Sequence, residues 1–248
     1  MKPCAFKAQS LSDHISGCLG LLRKYLDRNR EYPLIVSRRI EVASGGDVEI
    51  SSEEVKELLK LCVVFHDLGK GYEYYQRRFD RNCLTRNGAS FEYHEIISAI
   101  SSYKYSLNKW GEADPRTNLL TMSVANHHHA FREMSNMTHN RVSRKISEIL
   151  KQGVCEEIGN IYYVLEGIDP EIPEHISLEQ RDLVNFLNWI RSQYRMKQKG
   201  TLRWIKLYTL ILKPLIIVDN IDAYRARKDS RERFSSFLRE LNTLLGGD

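Results

Sequence analysis

The sequence predicts an all-α fold, and three observations support this prediction. Apolar residues recur at spacings of three and four far more often than they alternate. Two pairs, Ser10 with Asp13 and Ser51 with Glu54, have the spacing of helix N-terminal capping residues. The chain has 248 residues, of which 42% are hydrophobic, so it is long enough to bury a core, and we expect a single domain over 1–248.

The predicted helices follow one another along the chain. The first carries an apolar stripe from Leu11 onward, and the second starts at Ser51 or Ser52 and carries its stripe as far as His66. Between them, the β-prone runs in 31–50 end in a Ser-Gly-Gly-Asp turn, so we predict a small β-hairpin or a loop there. Further helices are predicted over residues 92–108, 116–129, 141–152, 178–196 and 201–240. Pro214 should break or kink the last of these.

Composition and charge indicate the expected class of protein. The longest apolar stretch, 207–218, is shorter than the roughly 20 residues of a membrane-spanning helix, and no signal-peptide pattern is present, so we expect a soluble, cytoplasmic protein. Five cysteines, without a CxxC pair, are expected to be reduced thiols. The net charge is +5, with basic stretches over 191–206 and 225–239. Such stretches fit either a polyanionic partner or a solvated helix face.

Histidines and two aspartates on the inner faces of the predicted helices are the candidate functional residues. Burying so many polar groups is unfavourable unless each is hydrogen-bonded or bound to a metal. One such histidine alone would more often be a satisfied core residue, but the number of them favours a metal site. Imidazoles and carboxylates together bind divalent transition metals, and two metals that share a carboxylate are suited to phosphodiester hydrolysis. The residues are His14, His66, Asp67, His94, His127, His128 and Asp219.

The order of these residues resembles the HD superfamily of metal-dependent phosphohydrolases. The doublet His66-Asp67, within FHDLGK, matches the signature of that superfamily, and an early His, a later His and a late Asp fall in its order. Two segments, SVANHHHA and LIIVDNIDA, are similar to the paired-histidine and final-aspartate motifs of the CRISPR-associated HD nuclease. The resemblance spans residues 10–225 and implies a compact helical HD domain.

The resemblance implies a site for two metal ions. The ligands implied for the first metal are His14, His66, Asp67 and Asp219. Those implied for the second are Asp67, His94, His127 and His128, so that Asp67 bridges the two. Because the ligands are rich in histidine, Mn, Fe, Co, Ni or Zn is expected rather than Mg.

Three residues near these ligands leave alternatives open. Lys70 matches a lysine of the family and would neutralise a phosphate oxygen in catalysis, or serve only as a cation at a helix C-terminus. The histidine pair could be shifted by one, to include His129. Asp222, one turn after the final ligand, could substitute for it or support it from behind.

The resemblance further implies a nuclease that cuts single-stranded DNA, as an endonuclease or an exonuclease, in CRISPR interference. The chain contains no GxxxxGK[ST] phosphate-binding loop, so we expect a stand-alone nuclease that works with a separate helicase and an RNA-guided surveillance complex. The residues expected to contact the strand are Arg195, Lys197, Lys199 and Arg203. Two other functions stay open, a phosphohydrolase of small nucleotides and a non-catalytic helical adaptor.

Overall fold

A computed structural model confirms the all-α fold and describes residues 2–85, 90–128, 139–198 and 207–226. The α-helices in these ranges are α1 (Leu11–Arg28), α2 (Tyr32–Ser44), α3 (Ser52–Phe65), α4 (Glu73–Gln76), α5 (His94–Lys109), α6 (Pro115–Ala125), α7 (Asn140–Leu150), α8 (Tyr162–Glu166), α9 (Gln180–Gln198) and α10 (Tyr208–Ala226). Shorter 3-10 turns span Leu68–Gly71, Glu156–Ile161 and Ile172–His175. Strands β1 (Cys4–Phe6) and β2 (Gln9–Ser10) pair antiparallel, and we call residues 4–10 the N-terminal hairpin.

Both predicted capping pairs are present. The Ser10 hydroxyl accepts a hydrogen bond from the Asp13 backbone N–H at the start of α1. At the start of α3, Ser51 and Glu54 each accept a hydrogen bond from the backbone N–H of the other. Capping satisfies N–H groups that have no partner inside the helix, so these residues set where each helix begins.

The loop or small hairpin predicted over 31–50 is wrong, because residues Tyr32–Ser44 form α2. Pro33 lies in the first turn, where its missing N–H breaks no helical hydrogen bond. Val36 and Ile40 lie one turn apart and are both buried. The β-branched residues favour a strand locally, but burying this face against α3 outweighs that preference.

Helix α10 continues through Pro214 rather than breaking there. Proline has no N–H to donate to the carbonyl four residues earlier, which belongs to Leu210. The hydroxyl of Tyr32 donates a 2.6 Å hydrogen bond to that carbonyl. The first residue of α2 therefore replaces the bond that proline removes. The two ends of the predicted last helix, 201–206 and 227–240, lie outside the described residues.

The core lies where α1, α3, α5, α6 and α10 pack together. Helix α5 packs against α6 and against the 3-10 turn that follows α3. Gly69 in that turn permits the close approach, since a Cβ atom there would lie 2.2 Å from the carbonyl oxygen of His94. The start of α5 is thereby held beside the end of α3. Within the described ranges, no helix has both the length and the apolar character needed to cross a bilayer.

The prediction that all cysteines are reduced thiols is wrong. Cys4 and Cys83 form a disulfide bond that ties the N-terminal hairpin to the segment before α5. The partners are 79 residues apart, so no spacing rule could have paired them. Cys18 and Cys62 are free thiols, and both are buried in the core.

Replacing Tyr32 by Phe removes the hydroxyl that binds the Leu210 carbonyl and keeps the ring. We expect the free energy of unfolding to fall by about 1 kcal/mol, because a partly buried carbonyl loses its partner. Denaturant titration with an unchanged slope would measure this loss. Tyr163→Phe, at a side chain that is 69% exposed, is the matched control, and an equal loss there would contradict the assignment.

Candidate metal centre

The seven predicted ligands converge on one point between α1, α3, α5, α6 and α10. His14 comes from α1, His66 and Asp67 follow α3, His94 opens α5, His127 and His128 follow α6, and Asp219 comes from α10. Six of them are buried, and His128 is exposed. The structure thus brings together all the residues that the resemblance implied. His129, the alternative member of the pair, lies outside the described residues.

Asp67 lies between two groups of ligand atoms, and each of its oxygens faces one group. Its Oδ2 is 3.2 Å from His14 Nε2 and 3.5 Å from His66 Nε2. Its Oδ1 is 3.0 Å from His94 Nε2 and 3.6 Å from His127 Nε2. A carboxylate placed in this way would be able to bridge two metal ions.

Each group is tight enough to hold one ion. The first group comprises His14, His66, Asp67 and Asp219. The second comprises Asp67, His94, His127 and His128. Within each group, the ligand atoms lie within 4.8 Å of one another. Cys18 also has its sulfur beside His14 and His66, at the edge of the first group.

Each of the four buried imidazoles is oriented by a hydrogen bond at Nδ1. In His66, His94 and His127, Nδ1 lies 2.7, 2.5 and 2.7 Å from the backbone carbonyl three residues earlier. In His14, Nδ1 lies 2.7 Å from Oδ2 of Asp222. Since Nδ1–H donates in each case, the lone pair of Nε2 faces the centre, as metal ligation requires.

Three buried polar atoms of the centre have no hydrogen-bond partner among the described residues. They are Asp67 Oδ1, His94 Nε2 and His127 Nε2, and all belong to the second group. Leaving such atoms unpaired costs free energy and is rare in folded proteins. A divalent transition metal would satisfy all three at once. The residues present therefore fit a metal ion in both chemistry and placement.

The carboxylates of the centre are held in their ionised form. Burial raises the pKa of Asp67, but Lys70 and His66 outweigh it and hold that pKa well below its usual value. Burial likewise raises the pKa of Asp219, but its close contacts with His14 and His66 outweigh this and hold the pKa well below its usual value. Ionised carboxylates are the form that binds a metal ion.

His128 lies at the edge of the centre and is neutral there. Partial burial of the ring, together with the neighbouring imidazoles of His127 and His94, lowers its pKa to about 3. Although the residue is partly exposed, its imidazole packs 4.1 Å from that of His127, centre to centre, so part of its surface is out of water. A neutral imidazole has the free lone pair that ligation needs.

Lys70 was expected either near a phosphate oxygen or as a cation at a helix C-terminus, and the structure shows a third environment. It is buried, with Nζ 2.6 Å from Asp67 Oδ2 and 3.8 Å from the centre of the Phe6 ring. Its first contact is therefore with the carboxylate of Asp67, whose charge it balances. Its contact with a phosphate oxygen stays a prediction.

Asp222 contacts the predicted ligand His14, on the side of the ring that faces away from the centre. This is the supporting one of the two roles that the sequence left open. Its Oδ2 binds His14 Nδ1 and also accepts a 2.7 Å hydrogen bond from the amide of Gln9. Gly17 makes room for it, since a Cβ atom at that position would lie 1.9 Å from Asp222 Oδ1. Gln9 and Gly17 were missed in the sequence, where only the spacing of Asp219 and Asp222 on one helix face gave a signal.

The residues predicted to contact DNA lie at the edge of the described chain. Arg195 and Lys197 are in the last turns of α9, and Lys199 and Arg203 lie outside the described residues. Their role stays a prediction.

Two further histidines lie away from the centre. His139 is exposed and caps α7, whereas His175 is buried against the ring of Tyr105.

Comparison with known proteins points to one family. The chain is 32% identical to the CRISPR-associated endonuclease Cas3-HD of Saccharolobus solfataricus over 249 residues, which cover 100% of this chain and 98% of that protein. The protein of the same description from Pyrococcus furiosus is 25% identical over 95% of this chain and 96% of its own. That from Methanocaldococcus jannaschii is 31% identical over 45% of this chain and 42% of its own.

A solved structure shares the fold. The CRISPR-associated Cas3 HD domain protein of Methanocaldococcus jannaschii matches with a TM-score of 0.59 at 21% identity, over 87% of this chain and 99% of that one. No protein-family model matches the chain.

Single replacements should remove the metals selectively. We expect His14→Ala to lose the ion of the first group and His128→Ala to weaken binding of the ion of the second, because each residue belongs to one group only. Metal counting by mass spectrometry, after equilibration with Mn²⁺ and desalting, would show partial occupancy in each. His139→Ala, at an exposed histidine, is the control. Full occupancy in both variants would mean that the ligands are wrongly assigned.

Proposed function

The chain belongs to the family of CRISPR-associated Cas3-HD endonucleases, and we propose that it hydrolyses phosphodiester bonds of single-stranded DNA at a centre of two divalent transition metal ions. Its identity to a family member over the full length establishes the coarser function, that of a CRISPR-associated HD nuclease. One observation supports the two-metal site above all others. Each oxygen of the buried Asp67 carboxylate faces its own group of ligand atoms.

Two metal ions at this centre would supply an activated water as nucleophile and would stabilise charge on the phosphate oxygens. His14, His66, Asp67 and Asp219 would hold the first, and Asp67, His94, His127 and His128 the second. Asp67 fixes the two groups relative to each other, and Lys70 fixes Asp67 through a 2.6 Å ion pair. His128, as the exposed member, marks the side from which solvent reaches the ligands.

The donor set favours some metals over others. Five of the seven ligands are imidazoles, and imidazole is a poor ligand for Mg²⁺, which prefers oxygen. Mn, Fe, Co, Ni and Zn ions all accept imidazole together with carboxylate. We therefore place the cofactor within that group of metals.

Single-stranded DNA suits this centre better than duplex. Six of the seven ligands are buried, so a phosphodiester has to reach a recessed site. A single strand bends readily, whereas duplex DNA is stiff on the scale of a small protein. The chain has no GxxxxGK[ST] loop with which to open a duplex at the expense of ATP. A separately encoded helicase, delivered by an RNA-guided surveillance complex, would supply the strand.

The other two functions that the sequence left open receive less support. A phosphohydrolase of small nucleotides could use the same centre, but three relatives are described as endonucleases, which act on polynucleotides. A non-catalytic adaptor would have no use for a complete ligand set, and here all seven residues meet.

Asp67→Ala and Asp67→Asn are both expected to abolish cleavage of a single-stranded oligonucleotide, because both metals lose a shared ligand. The asparagine variant keeps the shape of the side chain and guards against misfolding. A chelator should abolish wild-type cleavage, and Mn²⁺ or Ni²⁺ should restore it. Asp47→Ala, at an exposed carboxylate, is the control. Cleavage at the wild-type rate by either Asp67 variant would contradict the two-metal centre.

The substrate preference can be measured on matched DNAs. We expect metal-dependent cutting of a single strand and little cutting of the blunt duplex of the same sequence. Cutting of an R-loop should require the helicase and ATP. A time course with phosphate release from mononucleotides run in parallel separates the nuclease from a nucleotide phosphohydrolase. Equal rates on blunt duplex and single strand, by this chain alone, would refute the preference.

A further inference from the structure

We propose that the N-terminal hairpin positions the ligands of the first metal ion, and that the Cys4–Cys83 disulfide holds it there, so that reducing this bond weakens metal binding. The inference rests on the metal centre proposed above. It concerns residues 4–10, which contain no predicted ligand and take no part in the chemistry.

The hairpin reaches the first metal group through a chain of two hydrogen bonds. The Gln9 side-chain amide donates to Asp222 Oδ2 at 2.7 Å. The same oxygen lies 2.7 Å from His14 Nδ1 and so sets the rotation of that imidazole. His14 Nε2, at the other end of the ring, lies 3.2 Å from Asp67 and 3.3 Å from Asp219. A displaced Gln9 would release Asp222, and with it the direction of a metal ligand.

The hairpin also covers the centre with Phe6. Its ring lies edge-on to the His14 imidazole, with ring centres 5.0 Å apart. The ammonium of Lys70 lies 3.8 Å from the centre of the same ring. Phe6 therefore contacts both a metal ligand and the residue that pairs with Asp67. Loss of the Phe6 ring would admit water beside the ion pair of Lys70 and Asp67, and water weakens the attraction between the two charges.

The hairpin is too small to hold this position alone. Its strands have three and two residues, and an isolated two-stranded hairpin is marginally stable in water. Two hydrogen bonds between Cys4 and Gln76, at 2.8 and 3.0 Å, and one from Ala8 N–H to the Cys83 carbonyl, at 3.0 Å, attach it to the rest of the protein. The disulfide is the covalent attachment at the same place.

The disulfide packs in a small apolar cluster apart from the main core. Cys4 and Cys83 contact Phe79 there, and Phe91 packs against them. Reduction needs this cluster to open first, because the two cysteines are 0% and 6% exposed. A dithiol then donates two electrons and two protons, becoming a cyclic disulfide, and the protein bond becomes two thiols. The hairpin then keeps its hydrogen bonds but is no longer covalently attached to the segment before α5.

The test is the affinity of the metal-free protein for Mn²⁺, measured by calorimetric titration without DNA. The oxidised wild type is compared with wild type that has been reduced with dithiothreitol and freed of it by anaerobic gel filtration. Cys4→Ala combined with Cys83→Ala removes the bond permanently and should not respond to the dithiol. Gln9→Met breaks the hydrogen bond to Asp222 at nearly constant volume, and Gln152→Met, in the turn after α7, is its matched control.

We expect the dissociation constant of one Mn²⁺ to rise about tenfold on reduction and in the double alanine variant, as for loss of a group that orients a ligand. Gln9→Met should give a smaller rise at the same ion, because Asp222 and the disulfide remain in place. Thermal melting of each metal-free sample shows that it is folded. An unchanged dissociation constant in the reduced wild type or in Gln9→Met overturns the inference.

The outcome is separable from that of the proposed function. Mn²⁺ binding that weakens on reduction, in a protein that cuts no DNA, supports the inference and contradicts the nuclease assignment. If the protein cuts DNA with Mn²⁺ but its affinity for Mn²⁺ does not change on reduction, the nuclease assignment is supported and the inference is contradicted. Oxidised wild type that binds no Mn²⁺ overturns both the metal centre and the role of the hairpin.

Discussion

A completely buried carboxylate, that of Asp67, is the group around which the fold is arranged. A buried charge is tolerated only when other charges and polar groups balance it. Lys70, three residues later in the same turn, lies 2.6 Å away and balances the charge. The imidazoles of His94 and His14 lie 3.0 and 3.2 Å away and would share a metal ion with the carboxylate. Because these imidazoles come from α5 and α1, the packing of the helices and the surroundings of Asp67 are one requirement.

Elements that carry no ligand also help to keep the ligands in position. Helix α10 has to remain helical beyond Pro214 if Asp219 and Asp222 are to lie beside α1. Tyr32, at the start of α2, stabilises the helix there by a hydrogen bond to the carbonyl that Pro214 leaves without a helical donor. The N-terminal hairpin contributes the hydrogen bond from Gln9 to Asp222. The ligand set is thus the centre of a larger network of contacts that reaches the periphery of the fold.

The parts of this molecule that local patterns encode could be predicted from sequence, and the rest could not. Capping residues and apolar stripes located α1 and α3. Most ligands could be found because they continue such a stripe inward, and the motifs of the resembled family completed the set. Helix α2 was missed because its β-branched run outweighed the signal of Pro33, Val36 and Ile40, whose spacing fits a helix. The Cys4–Cys83 bond and the contact of Gln9 with Asp222 join residues 79 and 213 positions apart. Contacts of that separation leave no periodic trace in a single sequence.

Gly17 makes the metal centre depend on a residue that has no side chain. Glycine inside a helix costs about 0.5 to 1 kcal/mol relative to alanine. An engineer seeking a more heat-resistant protein would therefore choose alanine at this position. Yet its Cβ atom would meet the Asp222 carboxylate at 1.9 Å and push it from His14. At position 17, helix propensity favours alanine whereas the position of Asp222 requires glycine, although every ligand would still be present in the altered sequence.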